Sequence, residues 1–448
     1  VADERAGRAA EPGRTAVVLF TRDLRVHDHP ALAAATEHAD RVMPLFVLDD
    51  SILSGRNAAP NRAAFLAQAL ADLRERLRER GGDLVLRRGD VVEETMAAVA
   101  ETGATALVCS ADVSGYAQRR ERRLADACAG QGVRFRTYPG VTVLPPGALI
   151  PAGGDHYRVF TPYWRAWDAA TWREQVAAPA RISSGDLDRI GRLPAVDDLS
   201  DGVTSPDLPV GGETAGRAVL DRAVRRAGDG EPDLDDLAGD HTSRLSPYLH
   251  FGCVSPLEVA NRLEENAPEQ VRQLAWRDFH HQVTAAVPSV STEDYRSRAV
   301  EWRDDADGLR AWQDGRTGVP IVDAGMRQLL REGWMHNRAR LITASFLTRN
   351  LKIDWRAGAA HFFRWLVDGD VATNAGNWQW VAGTGNDARP NRVLNPLRQA
   401  KRFDPDGAYV RRYVPELAHL DGAAVHTPWA LPDADRKALD YPDPLLDL

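Results

Sequence analysis

The chain has 448 residues and a formal net charge of -8, so it is too long for one compact core and is not coated with positive charge. Its three cysteines, Cys109, Cys128 and Cys253, form no CxxC pair; neither a disulfide framework nor a zinc site is signalled, and a reducing cytoplasm fits. No apolar run reaches the roughly 18 residues of a membrane span, which argues against a transmembrane helix.

The opening VADERAGRAAEPGRT is charged and rich in Ala and Gly without an apolar centre, and residues 1–15 are expected to be a disordered leader. From 16 to 140 short apolar runs (AVVLF, RVMPLFVLD, DLVLRRGD, ALVCS, VRFRTYP) alternate with amphipathic stretches such as AAFLAQALADLRERLRER. Five strands separated by helices predict a doubly wound parallel α/β domain, whose ligands usually sit beyond the carboxyl ends of the strands. No GxGxxG follows the first strand, so a nicotinamide site has no support. Residues 141–240 are expected to connect two domains, because 174–240 are rich in Asp, Gly, Pro and Ser with weak periodicity. From 241 to 448 apolar residues recur at helical spacing and strand alternation is absent, which predicts an all-α domain.

Chemistry concentrates in that second half. In HTSRLSPYLHFG, Thr242, Ser243 and Ser246 precede an apolar stretch; they make either an anion cradle or ordinary N-caps, and capping is the commoner use. Helical spacing puts Gln273, Trp276, Arg277 and His280 on one face, and Trp334, Asn337, Arg338 and Leu341 on a face of another helix. Indole, amide and guanidinium together suit a pocket that stacks a planar heterocycle and holds its edge, while a polar network between helices explains either face equally well. Arg340, Asp368 and Asp370 read as an ion pair or as catalytic carboxylates, the ion pair being the more frequent arrangement. Eight of the twelve tryptophans lie between Trp276 and Trp380, two of them in TNAGNWQWVAGTGN at 373–386. Residues 389–412 carry seven Arg or Lys against two Asp, a local basic patch on an acidic protein. HExxH, GxSxG and GxxxxGK[ST] are absent, and no metal is expected.

Five segments taken together, RDLRVHDHPAL at 22–32, TSRLSPYLHFG at 242–252, WRDFHHQ at 276–282, GWMHNRARLITASFL at 333–347 and DGDVATNAGNWQW at 368–380, resemble the DNA photolyase and cryptochrome family. The likeness runs in order from about 16 to 430 and is strongest to class I bacterial enzymes that repair cyclobutane pyrimidine dimers. It implies FAD in the helical domain and light-driven electron transfer from reduced flavin to a flipped-out lesion in UV-damaged DNA. Thr242, Ser243, Arg244, Leu245 and Ser246 would hold the flavin phosphates. Trp276, Arg277, His280, Asn337, Arg340, Asp368, Asp370 and Asn374 would surround the rest, with Asn374 facing N5 and Arg340 paired with Asp368. Trp378, Trp355 and Trp302 would relay electrons from the surface.

For the substrate, the resemblance implies that Trp276 and Trp380 flank the lesion, that Gln273, Asn337 and Leu341 touch it, and that Arg338, Arg392, Arg398 and Lys401 hold DNA phosphates. Gln273 stands where dimer-repairing members usually have Glu, and Leu341 where they have Met; Asn337 differs from the His of the (6-4) branch. A Tyr often found upstream of the TSRLSP segment is replaced near Gly230. Arg22, Phe46, Asp49 and Asp112 would bind an antenna pigment, with 8-hydroxy-5-deazaflavin preferred to methenyltetrahydrofolate because Tyr116, Ala117 and Gln118 stand where folate-binding members have an acidic residue. The implied enzyme is a cytoplasmic monomer, nucleoid-associated on damage. The alternatives are a cryptochrome-type blue-light photoreceptor and a (6-4) photolyase.

Overall fold

The computed structural model describes residues 13–54, 58–185, 187, 189–230, 233–297, 300–387 and 392–447. Most of the expected leader, residues 1–12, lies outside the described residues.

Five parallel strands, β1 (Thr15–Phe20), β2 (Arg41–Asp49), β3 (Val85–Gly89), β4 (Ala106–Ser110) and β5 (Arg134–Tyr138), form one sheet in the order β3-β2-β1-β4-β5. All six residues of β1 are buried, as a central strand covered by helices on both faces requires. Helices α1 (Pro30–His38), α2 (Asp50–Leu53), α3 (Pro60–Arg78), α4 (Val91–Thr102) and α5 (Gly115–Gly130) make the crossovers. The chain winds outward from β1 through β2 to β3, then returns to β4, so the loops after β1 and β4 flank the switch point of the sheet.

The expected connector is more ordered than its composition suggests. It contains α6 (Phe160–Asp168) and α7 (Glu213–Gly228), and it runs beside β3, where the Leu86 N–H donates to the Ile190 carbonyl at 2.8 Å. That contact covers a sheet edge.

The helical half comprises α8 (Ser246–His250), α9 (Pro256–Leu263), α10 (Pro268–Ala286), α11 (Ala306–Gln313), α12 (Pro320–Glu332), α13 (Asn337–Ser345), α14 (Trp355–Trp365), α15 (Val371–Ala382), α16 (Pro396–Phe403) and α17 (Ala408–Tyr413), followed by short turns. One apolar cluster runs through both halves, joining Phe20, Leu24 and Phe65 of the sheet domain to Tyr248, Phe251 and Phe279. Polar contacts reinforce the join. The Leu24 N–H donates to the Phe251 carbonyl at 3.1 Å, and the fully buried Arg25 donates to the Gly252 carbonyl at 2.9 Å. Gly252 has φ 65° and lies so close that a Cβ would sit 2.0 Å from the Arg22 carbonyl oxygen, which only glycine tolerates.

One expected helical face is not formed. Trp334 does not share a helix with Asn337, Arg338 and Leu341, because Gly333, left-handed at φ 61°, ends α12 and His336 caps a new helix beginning at Asn337. Among the described residues no helix is long and apolar enough to cross a membrane.

Candidate flavin and DNA site

The N-terminal turn of α13, the turn at 366–370 and the exposed face of α15 enclose a cavity of about 60 Å³, lined among others by Asn337, Arg340, Asp368, Asn374 and Trp378. Arg340 Nη2 donates to Asp368 Oδ2 at 2.7 Å and Nε to the Met335 carbonyl at 2.8 Å. The Ser246 hydroxyl donates to the same Asp368 oxygen at 2.5 Å, and the Trp334 indole N–H donates to Ser246 at 3.1 Å. Asp368 Oδ1 remains buried without a partner, a carboxylate atom that asks for a donor. Asn374 gives its amide N–H to the Ala359 carbonyl at 3.1 Å.

The 242–246 segment lies beside this cluster. Thr242 donates to Asp240 at 2.9 Å. Arg244 is left-handed (φ 56°) and Leu245 is right-handed (φ −82°, ψ −12°), an alternation that turns successive N–H groups to one side and suits an anion. Arg244 itself pairs with Asp240 and with Glu332 at 2.6 Å, and its guanidinium lies 3.7 Å above the Trp334 ring. Hydroxyls, a carboxylate lacking its donor and an amide cavity are a donor set that fits a flavin dinucleotide.

Helix α10 carries Gln273, Trp276, Arg277 and His280, and its approach to α15 is close: a Cβ on Gly376 would lie 2.1 Å from His280 Nδ1. Gln273 is exposed and Trp276 half-buried, with one indole face stacked on Phe160 at 3.5 Å and 9°. Burial, helped by the neighbouring His281, pushes His280 down to about 4, so it is neutral at physiological pH. Arg277 donates to the Val141 and Leu249 carbonyls at 2.5 and 3.3 Å. It ties the connector and α8 to this helix rather than projecting into the cavity.

Asp370 caps α15 by accepting from the Thr373 N–H at 2.8 Å. Burial opposes its charge, but Arg22 and His281 outweigh that penalty and hold its carboxyl well below the usual carboxylate range. Arg22 contacts Asp112 at 3.3 Å through its other terminal nitrogen. Of the expected antenna set, the structure brings Arg22 and Asp112 together. Arg22 and Asp112 join the two domains, Phe46 lies in the core, and Asp49 caps α2 while accepting from the Tyr116 hydroxyl. Arg22 thus places docking contacts to the helical half at the switch point of the sheet.

Trp378 is buried against Phe362 (4.9 Å) and Trp312 (6.0 Å) and packs on Gly358, one turn along α14 from Trp355. Trp355 is buried and donates its indole N–H to Asp294 at 2.9 Å; Trp302 is half-buried in the same cluster, next to an Arg303 N–H bond to the Lys352 carbonyl at 2.7 Å. On the outside, Trp380 is half-buried beneath the Arg392 guanidinium at 5.0 Å, and Arg398 and Lys401 are exposed on α16. Arg338 departs from expectation: it forms a bidentate pair with Asp235 (3.1 and 2.6 Å) and lies over the Phe403 ring, so its charge is already matched. Leu341 lines the Asn337 cavity. Among the described residues no group of His, Cys, Asp and Glu could hold a metal ion.

Two contributors escaped the sequence reading, Phe160 and Asp278. Phe160 gives no local signal, since α6 is distant in sequence from α10. Trp334, expected on one face with Asn337, serves instead from the turn before α13 as a hydrogen-bond donor to Ser246 and a platform for Arg244. Asp278, buried on α10, accepts from the Val143 and Leu144 N–H groups and the Trp167 indole, each at 3.0 Å.

Residues 16–180 match the family model described as DNA photolyase, and residues 270–448 match the one described as the FAD binding domain of DNA photolyase. The chain is 53% identical over 440 residues to a deoxyribodipyrimidine photo-lyase of Streptomyces griseus, covering 97% of this chain and 96% of that protein. The solved structure of a bacterial class III photolyase from Agrobacterium tumefaciens superposes with a TM-score of 0.89 at 33% identity, covering 99% and 96% of the two chains. An archaeal photolyase from Sulfolobus tokodaii, solved with two FAD molecules, gives 0.84 at 30% identity, covering 97% and 96%.

Proposed function

The chain belongs to the DNA photolyase and cryptochrome family, and we propose that it is a light-driven repair enzyme that splits cyclobutane pyrimidine dimers in UV-damaged DNA. The observation that carries this reading is the cavity between α13 and α15, where Asp368 keeps one buried oxygen without a partner and Asn337, Arg340 and Asn374 surround it. Reduced FAD, when bound, supplies the electron that opens the cyclobutane ring and receives it back.

The protein's own groups do the rest. Ser246 and Arg340 fix Asp368 from two sides, so its free oxygen accepts from the bound heterocycle without reorganising. Arg22 neutralises Asp370, which keeps the field near the cavity from opposing an anionic ring. Neutral His280 adds no charge. Trp276, braced by Phe160 on one face, and Trp380 offer stacking surfaces to a lesion turned out of the duplex; stacking contributes roughly 1 to 3 kcal/mol per base. Gln273, exposed on α10, hydrogen-bonds a pyrimidine edge, while Arg392, Arg398 and Lys401 hold phosphates. Trp378, Trp355 and Trp302 run from the buried interior to a half-buried position, which supports their proposed role in refilling the oxidised cofactor with electrons.

For the antenna, 8-hydroxy-5-deazaflavin is the proposed pigment and methenyltetrahydrofolate the second choice. Arg22, Phe46, Asp49 and Asp112 are its proposed contacts, with Arg22 also engaged by Asp370. We propose that the protein works as a monomer in the cytoplasm, at the nucleoid when damage is present. Flavin absorption by the purified protein, followed by repair of dimer-bearing oligothymidine in light and not in darkness, tests the assignment; repair in darkness or no flavin band contradicts it.

A further inference from the structure

A second cavity, of about 350 Å³, shares no lining residue with the first. Helix α7 presents Val219, Arg222, Ala223 and Arg226 to it, the i, i+3, i+4 and i+7 positions of one face. The segment from Ala238 to Arg244 forms the facing wall, and Gln270 of α10 and Arg412 of α17 complete it. The lining carries four arginines against one aspartate. Two of those arginines are already engaged: Arg244 pairs with Asp240 and Glu332, and Arg412 donates to the Ala238 carbonyl at 2.9 Å. Arg222 and Arg226 are exposed and have no ion pair or hydrogen bond among the described residues. Gln270 is only 8% exposed, yet its Oε1 is buried without a partner. The unmatched Gln270 oxygen asks for a hydrogen-bond donor and the two uncompensated guanidiniums ask for an anion, so the place suits a ligand that carries both hydroxyl and negatively charged groups.

We infer that Arg222 and Arg226 bind the diphosphate of the FAD, gripping it from the side opposite the 242–246 segment. The inference rests on the flavin reading above. Residues four apart on a helix place their side-chain bases roughly 5 to 6 Å from one another, close enough for two long, flexible guanidiniums to converge on a single diphosphate. Across the cavity Thr242 and Ser243 contribute hydroxyls, and the alternating backbone at Arg244 and Leu245 contributes N–H groups. The diphosphate is then held by guanidinium on one wall and by neutral donors on the other. The DNA backbone is the competing source of phosphate. It is disfavoured because these arginines line a recess that also holds the buried Gln270, whereas Arg392 lies over Trp380 and Arg398 and Lys401 are exposed on α16.

The test uses the holoenzyme with both arginines changed, Arg222→Gln with Arg226→Gln. Flavin released on dilution is followed by the recovery of its fluorescence, and binding to undamaged duplex is measured over a salt series. Both positions are exposed, and circular dichroism verifies the fold; Arg226→Lys is a charge-retaining control. The inference predicts that the double variant holds FAD on the order of 10-fold more weakly, that the lysine variant keeps most of the affinity, and that the DNA salt slope is unchanged. Inorganic pyrophosphate should speed flavin loss from the parent more than from the double variant. Unchanged flavin retention overturns the inference, and unchanged retention with a salt slope lowered by about two assigns the arginines to DNA. Because neither readout requires repair, failure of the repair assignment alone leaves these outcomes distinct.

Discussion

Arg22, in the loop that leaves β1, and Asp370, the N-cap of α15, form a largely buried ion pair across the two domains, with Nη2 and Oδ2 2.5 Å apart. Removing the cation alone strands a buried carboxylate. Arg22→Met should therefore destabilise the protein by about 3 to 5 kcal/mol in urea unfolding, with the two domains still unfolding together. The double change Arg22→Met with Asp370→Asn should recover part of that loss, because Asp112 still lacks its cation. Equal loss in the single and double variants would show that the pair does not couple the domains.

Asp278 gives the fold a pH dependence of identifiable origin. Burial, against the weaker opposing effects of Arg277 and its hydrogen-bond donors, raises its carboxyl to about 6. Such a carboxyl binds its proton more tightly when folded, so the stability it contributes is present below its unfolded pKa of about 4 and is lost as pH rises towards 6. Asp278→Asn should remove about 3 kcal/mol of the stability change between pH 4 and pH 6. Denaturant unfolding of both proteins across that window checks it, and parallel curves would mean that Asp278 ionises normally.

Phosphate binding should divide the cations by whether they already have partners. Arg398→Gln and Lys401→Gln should each lower the salt slope of DNA binding by about one, uniformly across sequences. Arg338→Gln should change the slope less, because Asp235 already holds that guanidinium in two hydrogen bonds. Freeing it by Asp235→Asn should raise affinity for undamaged DNA. A full unit lost with Arg338→Gln in the parent protein would show that DNA displaces Asp235.

Electron refilling can be separated from repair. Trp378→Phe keeps the packing against Phe362 and Gly358 but replaces indole with a ring much harder to oxidise. Light-driven reduction of oxidised FAD should stop, and repair by chemically reduced enzyme should persist. Trp312 also touches Trp378, yet it is fully buried and donates to the Thr343 carbonyl at 3.0 Å. Trp312→Phe should leave photoreduction nearly intact; the opposite ranking of the two variants would redirect the route through Trp312.

The sheet was legible because continuous apolar runs such as TAVVLF fit only buried parallel strands, and the helical half because its periodicity is strong. The Arg340 and Asp368 pair followed from the family resemblance, residue type alone leaving Asp370 as an equal partner. The fates of Arg22 and Asp112 were not legible, since Arg22 bridges Asp112 to Asp370, which lies far along the chain, and only folding brings the three together. Trp334 was misplaced by extending one helical period through Gly333, although a glycine at the end of an amphipathic stretch is itself a stop signal. Phe160 under Trp276 and Asp235 on Arg338 are long-range contacts that carry no local pattern.

Which lesion is repaired decides the assignment, and a single comparison of substrates settles it. Reduced protein under near-ultraviolet light is given a cyclobutane thymine dimer, a (6-4) photoproduct and undamaged DNA, in the parent and in Trp276→Ala. Only the cyclobutane dimer should be repaired, with affinity for that substrate falling about 5-fold to 150-fold in the variant, the loss of one stacking partner, while undamaged duplex binds as before. Repair of only the (6-4) photoproduct, or of neither lesion by protein whose flavin is bound and photoreducible, would contradict it.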